Sequence, residues 1–157
     1  MRLELGELDL RYAELRIRDT ARERRLVGSL LEHGQQTPVL VVRDGAAWVL
    51  IDGYVRVAAL RKLARDLVDA AAMDVPEAEA LVLGHRLDNG RTRTALEEGW
   101  LLRELCERHG MRQQELARRL DRSTSWVSRR MALVNTLPEA VQEVVRTGKL
   151  AVQAATK

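Results

Sequence analysis

The chain is 157 residues long and carries 26 Lys plus Arg against 23 Asp plus Glu, a net charge of +3, which suits one domain or two small ones with mixed surface charge. No apolar run approaches the ~20 residues that span a bilayer, and the opening MRLELGELDL alternates charge with leucine where a signal peptide would carry an apolar core, so no membrane association and a cytoplasmic location are expected. The single cysteine, Cys106, excludes an internal disulfide, and His33, His85 and His109 lie far apart without CxxC, HxxxH or HExxH spacing, so zinc chemistry is set aside.

In chain order, LELGELDL reads as a first strand or an edge strand. TARERRLVGSLLEHG follows as an amphipathic helix, with Leu26, Leu30 and Leu31 at helical spacing, Asp19 or Thr20 as cap and Gly34 as stop signal. Its run Arg22, Glu23, Arg24, Arg25 is expected on a solvated face. The β-branched VLVVR and the segment AAWVLI flank Asp44-Gly45, a tight-turn signal, and predict a β-hairpin. Gly53 ends it, and YVRVAALRKLA turns Val57, Leu60 and Leu63 to one side of a second helix. LVDAAAM returns as a strand, and PEAEALVLGHRL opens a helix with proline at a favoured entry position. The order β-α-β-β-α-β-α implies a small mixed sheet with helices packed on it, ending near Arg91, where NGRTRT reads as a connector.

Everything beyond reads as helix: ALEEGWLLRELCERHG, RQQELARRL, STSWVSRRMALV and PEAVQEVVRTG. Cys106 falls on one side of the first of these, as a buried thiol. The helical pattern continues into GKLAVQAATK, so further chain serving self-association is expected after it. The predicted organisation is thus a domain over residues 1–91 and an all-helical one over 92–157.

Charge follows the same division. Residues 1–90 hold 13 basic against 15 acidic side chains, net −2, and residues 91–157 hold 13 against 8, net +5, which together make the total of +3. A polyanion partner therefore belongs with the second half. Phe is absent, and Trp48, Trp100 and Trp126 fall in separate elements, which argues against a single-strand binder built on stacked aromatics.

Within QQELARRLDRSTSWVSRRMALV, Leu116, Ala117 and Leu120 face inward on a short helix, and Val127, Met131 and Val134 do so on a second, a helix-turn-helix pattern. Ala117 is small enough for close crossing, Ser123 can cap the second helix, and Asp121 holds the turn position where Gly is usual, since Asp tolerates a left-handed backbone. Opposite the inward stripe lie Thr124, Ser125, Ser128 and Arg129, the region such a motif inserts into a major groove. Hydroxyls can bond base edges or phosphates, Arg129 can read a guanine or grip backbone, and Arg118, Arg119, Arg122 and Arg130 supply phosphate contacts, with Gln113 and Gln114 at the first helix's start. From Arg112 to Arg130 six arginines stand against two acids, the electrostatic footprint of a duplex binder. A helical hairpin in a bundle, or one that binds protein, is the other reading of the same pattern.

The junction IDGYVRVAA raises a separate question, because Arg56 stands in a helix first turn where a cation opposes the backbone dipole by about 0.3–1 kcal/mol. A strand-Gly-helix corner exposes backbone N–H groups that suit an anion, and Arg56 either pairs with a phosphate or closes a salt bridge.

EHGQQTPVLVV, WVLIDGYVRVAAL, MRQQELARRLDRSTSWVSRRMALV and LPEAVQEVVRTGKL, in that order, resemble the ParB family of plasmid and chromosome partition proteins across nearly the whole chain. The resemblance implies an α+β fold: a small mixed-sheet ParB/sulfiredoxin-like domain followed by an all-α helix-turn-helix domain. It also implies CTP and Mg²⁺ as cofactors, a palindromic duplex site, a homodimer that nucleotide and DNA switch into a sliding clamp, a partition ATPase as partner, and association with nucleoid or plasmid. Gly53 and Arg56 match a glycine and an arginine of the family's GERRxR phosphate motif, whereas Tyr54 and Val55 depart from it. Gln36, Thr37 and Pro38 match the loop near the nucleotide, and Tyr54 is placed against it. In place of an ENxQR motif the chain has GHRLDNGRTR, where Asp88 and Asn89 stand in for metal and phosphate contacts. At most a weak CTPase is implied, with no catalytic residue assigned. A ParB-like transcription regulator or adaptor without nucleotide switching is the alternative. Sulfiredoxin chemistry would need a cysteine where Asp52 and Tyr54 flank the glycine, and a kinase on this scaffold would use Asp52 as base.

Overall fold

Leucines 3, 5, 8 and 10 suggest one alternating strand, yet the opening segment is broken in two in the computed structural model, which describes residues 1–88 and 93–149. Strand β1 (Arg2–Glu4) runs into a 3-10 turn at Leu5–Glu7, then into β2 (Leu8–Asp9). The Glu7 carboxylate closes the turn by accepting the Glu4 backbone N–H at 2.8 Å. The break lets one short segment serve both edges of a five-stranded sheet ordered β1-β5-β3-β4-β2. β1 pairs antiparallel with β5 (Leu67–Met73), and β2 pairs parallel with β4 (Ala47–Asp52). Leu3, Leu5 and Leu8 are buried along the way, so the leucine spacing serves a single core from two edges.

The hairpin forms as its turn signal predicts. β3 (Val39–Asp44) and β4 pair antiparallel out to Asp44 opposite Ala47, and Gly45 takes the positive φ of 59° that a two-residue turn needs. Arg43 lies opposite Trp48, its guanidinium 4.6 Å from the ring centroid. Helix α2 (Tyr54–Lys62) then carries the chain over to β5, which runs parallel to β3. Central strands are buried on both faces, through Val41 and Leu50 on one and Val42, Val49 and Ile51 on the other.

Helix α1 (Thr20–His33) starts at Asp19, whose carboxylate accepts the Arg22 N–H, and ends at Gly34 with φ 71°. Its inward stripe differs from the expected one. Leu30 is buried but Leu31 is 63% exposed, while Glu23, expected in solvent, is 2% exposed with Lys62 Nζ at 3.5 Å. The buried positions 23 and 30 and the half-buried 26 and 27 recur at three and four residues, which turns Leu31 about 100° off the stripe. With α2 this helix covers a core of Leu3, Leu30, Val39, Val57, Leu60 and Val68.

The remaining elements are helical: α3 (Glu77–Asp88), α4 (Ala95–Glu107), α5 (Gln113–Arg119), α6 (Thr124–Thr136) and α7 (Glu139–Arg146). The chain forms two compact units, residues 1–13 with 19–80 and residues 14–18 with 81–157. The short segment 14–18 is bound to the helical unit by polar contacts. The Glu97 carboxylate accepts Arg16 Nε at 2.8 Å and the Ile17 N–H at 3.0 Å, while Arg146 Nε donates to the Glu14 carbonyl at 2.9 Å. Glu97 also completes a reciprocal cap with Thr94 at the α4 start. Leu15 and Ile17 add to a core of Leu96, Trp100, Val134 and Val145. Inside it the buried Gln142 accepts the Trp100 indole N–H at 2.8 Å and donates to the Val134 and Leu137 carbonyls. Cys106 is half-buried, its Sγ 3.8 Å from Met131 Sδ, and burial raises the thiol above its ordinary pKa.

Candidate functional site

In the helical unit, α5 and α6 form the expected pair. Leu116, Ala117, Leu120, Val127 and Val134 are buried and Met131 is half-buried. Asp121 takes φ 55°, so the turn uses the left-handed position usually given to glycine, and the Arg122 N–H donates to the Ala117 carbonyl at 2.8 Å. The Ser123 hydroxyl accepts the Trp126 N–H at 3.0 Å and starts α6.

Packing inward leaves the other face in solvent. Gln113, Gln114, Arg122, Ser123, Thr124, Ser125, Ser128 and Arg129 are all exposed, whereas Arg119 and Arg130 are half-buried. Arg112, Arg118 and Arg129 have no ion-pair partner among the described residues. Such cations keep their full charge for an external anion. Arg130 is engaged within the protein: its Nε lies 3.5 Å from Glu98 Oε1 and its guanidinium 5.1 Å from the Trp126 ring centroid.

Trp126 is the feature the sequence pattern does not reveal. It is buried at the first turn of α6, and the guanidiniums of Arg122 and Arg130 each lie 5.1 Å from its ring centroid. His85 meets the ring edge-on at 6.5 Å and places Nε2 2.9 Å from Glu98 Oε2. Its only sequence signal is an aromatic with an arginine four residues to either side; Arg130 shares its helix at the spacing that stacks side chains, whereas Arg122 precedes the cap Ser123.

The sheet unit holds the second candidate. Gly53 begins α2 with φ 114°, and a Cβ there would lie 2.5 Å from Val39 Cγ1, so backbone angle and neighbour both require glycine. As N-cap, Gly53 has no side chain with which to cap α2, and a helix start of this kind suits an anion. Arg56 is turned toward the preceding loop. Its Nη1 donates to the Thr37 carbonyl (2.9 Å), Thr37 Oγ1 (2.9 Å) and the Pro38 carbonyl (2.6 Å), and its Nη2 to Asp52 Oδ2 (3.2 Å). Burial pulls this guanidinium below the ordinary arginine value, with Asp52 opposing and Arg22 adding repulsion. Arg22, read from sequence as solvated face, is thus a second cation in electrostatic range of the same turn.

The other residues assigned to this site are arranged less uniformly. Gln36 is exposed and donates to the His33 carbonyl at 2.9 Å, and the Tyr54 hydroxyl donates to the Leu50 carbonyl at 2.9 Å. Asp88 ends α3 in the helical unit, where Arg93 Nε donates to its Oδ2 at 3.3 Å. Asn89 lies outside the described residues. Thr37, Gly53 and Arg56 are therefore the assigned residues brought together.

Comparison with known proteins falls on the same two regions. Residues 92–157 match the family model of the ParB HTH domain. The chain is similar to the solved structure of the C-terminally truncated chromosome-partitioning protein ParB from Caulobacter crescentus complexed with CTP-γ-S. That match has 23% identity and a TM-score of 0.50, and covers 99% of this chain and 89% of that one. The same protein complexed to the centromeric parS site matches at 22% identity and TM-score 0.50, covering 99% and 82%. A pNOB8-like ParB N-domain matches at 18% identity and TM-score 0.60, covering 99% and 77%. These likenesses are of fold. No curated protein matches the chain.

Proposed function

We propose that this chain, a ParB-family protein whose residues 92–157 match that family's helix-turn-helix domain, binds a specific duplex DNA site in chromosome or plasmid partition. The observation that carries the proposal is the face of α6, where a serine-capped first turn turns Thr124, Ser125, Ser128 and Arg129 outward, near Arg112 and Arg118, which have no ion-pair partner among the described residues. Base edges are read by the α6 side chains, while Arg112, Arg118 and Arg122 hold phosphates and set the register. A homodimer reading two half-sites fits a motif of this size. Fluorescence anisotropy of the whole protein against preferred and scrambled duplexes, across a salt series, tests it. Arg129→Ala weakens the preferred duplex more than the scrambled one; Arg118→Ala weakens both and reduces the salt slope by about 1. Equal losses for Arg129→Ala on every duplex would demote that residue to a backbone contact, and absence of duplex binding by the wild type would sink the proposal.

The finer part of the reading is CTP, with Mg²⁺, governing a clamp. Its support is the glycine-started α2 N-terminus with Arg56 in its first turn, in the fold of a ParB solved with CTP-γ-S. The residues present fit a phosphate: backbone N–H groups of the α2 first turn would face it, and Arg56 would exchange loop carbonyls for phosphate oxygens. Among the described residues no cluster of three or more His, Cys, Asp or Glu could hold a metal, so Mg²⁺ would enter on the phosphates themselves. Bound there, the nucleotide supplies charge and contacts that favour one arrangement of the chain over another. Calorimetry with CTP, ATP, GTP and UTP in Mg²⁺ decides: heat for CTP that is lost in Arg56→Ala supports the clamp. Silence for all four favours a ParB-like regulator or adaptor without a nucleotide switch.

A further inference from the structure

The helical unit buries two carboxylates on consecutive residues of α4, and only Glu97 has a local duty, as the cap of its own helix. Glu98, 7% exposed, receives His85 on one oxygen at 2.9 Å and Arg130 on the other at 3.5 Å. Arg130 in turn shares the Trp126 ring with Arg122, both guanidiniums 5.1 Å from its centroid. Two cations drawn to one indole repel each other, and that repulsion grows as water is excluded. A carboxylate bonded to the inner cation removes most of the conflict, which lets the outer one stay on the ring.

We infer that Glu98 is a positioning residue for DNA recognition, neutralising Arg130 so that Trp126 can hold Arg122 ready at the start of α6. The inference rests on the duplex-binding reading and assigns the two arginines different duties. Arg122, exposed and ending the turn, meets the phosphate; Arg130 stays inside and steadies the indole. Holding Arg122 on the ring removes rotamer freedom before DNA arrives, so less is lost on binding.

The test turns on a sign. Glu98→Gln raises the net positive charge by one, and simple electrostatics then predicts tighter binding to a polyanion. Positioning predicts the reverse, a loss of about fivefold in duplex affinity, the factor that ~1 kcal/mol of cation–π holding represents. The full protein is titrated by anisotropy as wild type, Glu98→Gln, Arg122→Ala and the double variant, with helicity checked by circular dichroism. The Glu98→Gln loss disappears in the Arg122→Ala background, which a general loosening of the fold would not produce. Trp126→Leu, which keeps an apolar filler without a ring, is the second route should Glu98→Gln misfold, and it shows the same fivefold loss and the same dependence on Arg122. Binding by Glu98→Gln equal to or tighter than wild type, or an undiminished loss without Arg122, overturns the inference while leaving the DNA reading intact. Failure of the wild type to bind any duplex removes both.

Discussion

Glycine to alanine in the middle of a helix ordinarily stabilises a protein by about 0.5–1 kcal/mol, because alanine loses less backbone freedom on folding. Two helical glycines of this chain should answer that change with opposite signs. At Gly28, on the exposed side of α1, an added Cβ meets nothing within 4 Å, so the ordinary gain is expected. At Gly99 the Cβ would stand 2.3 Å from Val134 Cγ2 and 2.7 Å from the Arg130 carbonyl oxygen. The valine methyl could rotate, but the carbonyl belongs to the α6 backbone and yields only if α4 and α6 separate. Overpacking of this kind costs about 1–3 kcal/mol, and here it works against a helix gain of about 0.5–1, so a net destabilisation of up to about 2.5 kcal/mol follows. Urea unfolding followed by circular dichroism, with each variant's midpoint compared with wild type at unchanged slope, measures both. DNA affinity provides a second readout for Gly99→Ala, since the displaced backbone carries Arg130. A stabilising Gly99→Ala, equal to Gly28→Ala, would refute the close crossing of α4 and α6 on which the geometry of the recognition helix depends.

Three further substitutions probe other positions. Gly53→Ala combines a φ of 114° with Val39 Cγ1 at 2.5 Å, and a loss of about 3 kcal/mol or more in urea stability is expected, together with weakened nucleotide heat if the turn binds phosphate. Ala64→Gly, at an exposed residue with φ 53° just beyond the α2 C-terminus, should gain about 0.5–1 kcal/mol by relieving a left-handed alanine, read as a raised thermal midpoint. Gln142→Leu strands the Trp100 indole N–H and leaves the Val134 and Leu137 carbonyls without their side-chain donor in a buried site, a loss of about 3 kcal/mol that a shifted tryptophan emission would accompany.

What could be read from the sequence was local. Helix starts at Asp19 and Ser123, the Gly45 turn and the left-handed Asp121 each depend on a few neighbouring residues, and the structure keeps all of them. What escaped depends on distant pairing. Nothing between Arg2 and Asp9 says that one half pairs with β5 and the other with β4, because the partners lie 40 to 67 residues away. Glu23 looked like surface because a charged run has no visible partner until Lys62 is folded against it. Residues 14–18 carry no mark of belonging with the helices that follow Ala80, since their contacts are with Glu97 and Arg146.

The two candidate sites differ in how they use arginine, and the contrast explains why one could be read more fully than the other. On α6 the functional cation must meet solvent, so exposure follows from the helical stripe alone, and Arg129 falls outward by simple periodicity. At the α2 turn and around Trp126 the arginines are held by the protein itself: Arg56 by two carbonyls, a hydroxyl and Asp52, and Arg130 by Glu98. Periodicity places such residues but cannot say what they grip, because the partner comes from another element. An arginine held in this way must trade its internal partners for a ligand, so any anion at α2 competes with the Thr37–Pro38 loop for the same guanidinium. Arg56→Lys would keep the charge and lose the fork that joins the two loop carbonyls, on Nη1, to Asp52, on Nη2. Loop order and phosphate affinity should therefore fall together in that variant, and a lysine that bound nucleotide with unchanged heat would show that the fork does not serve the phosphate.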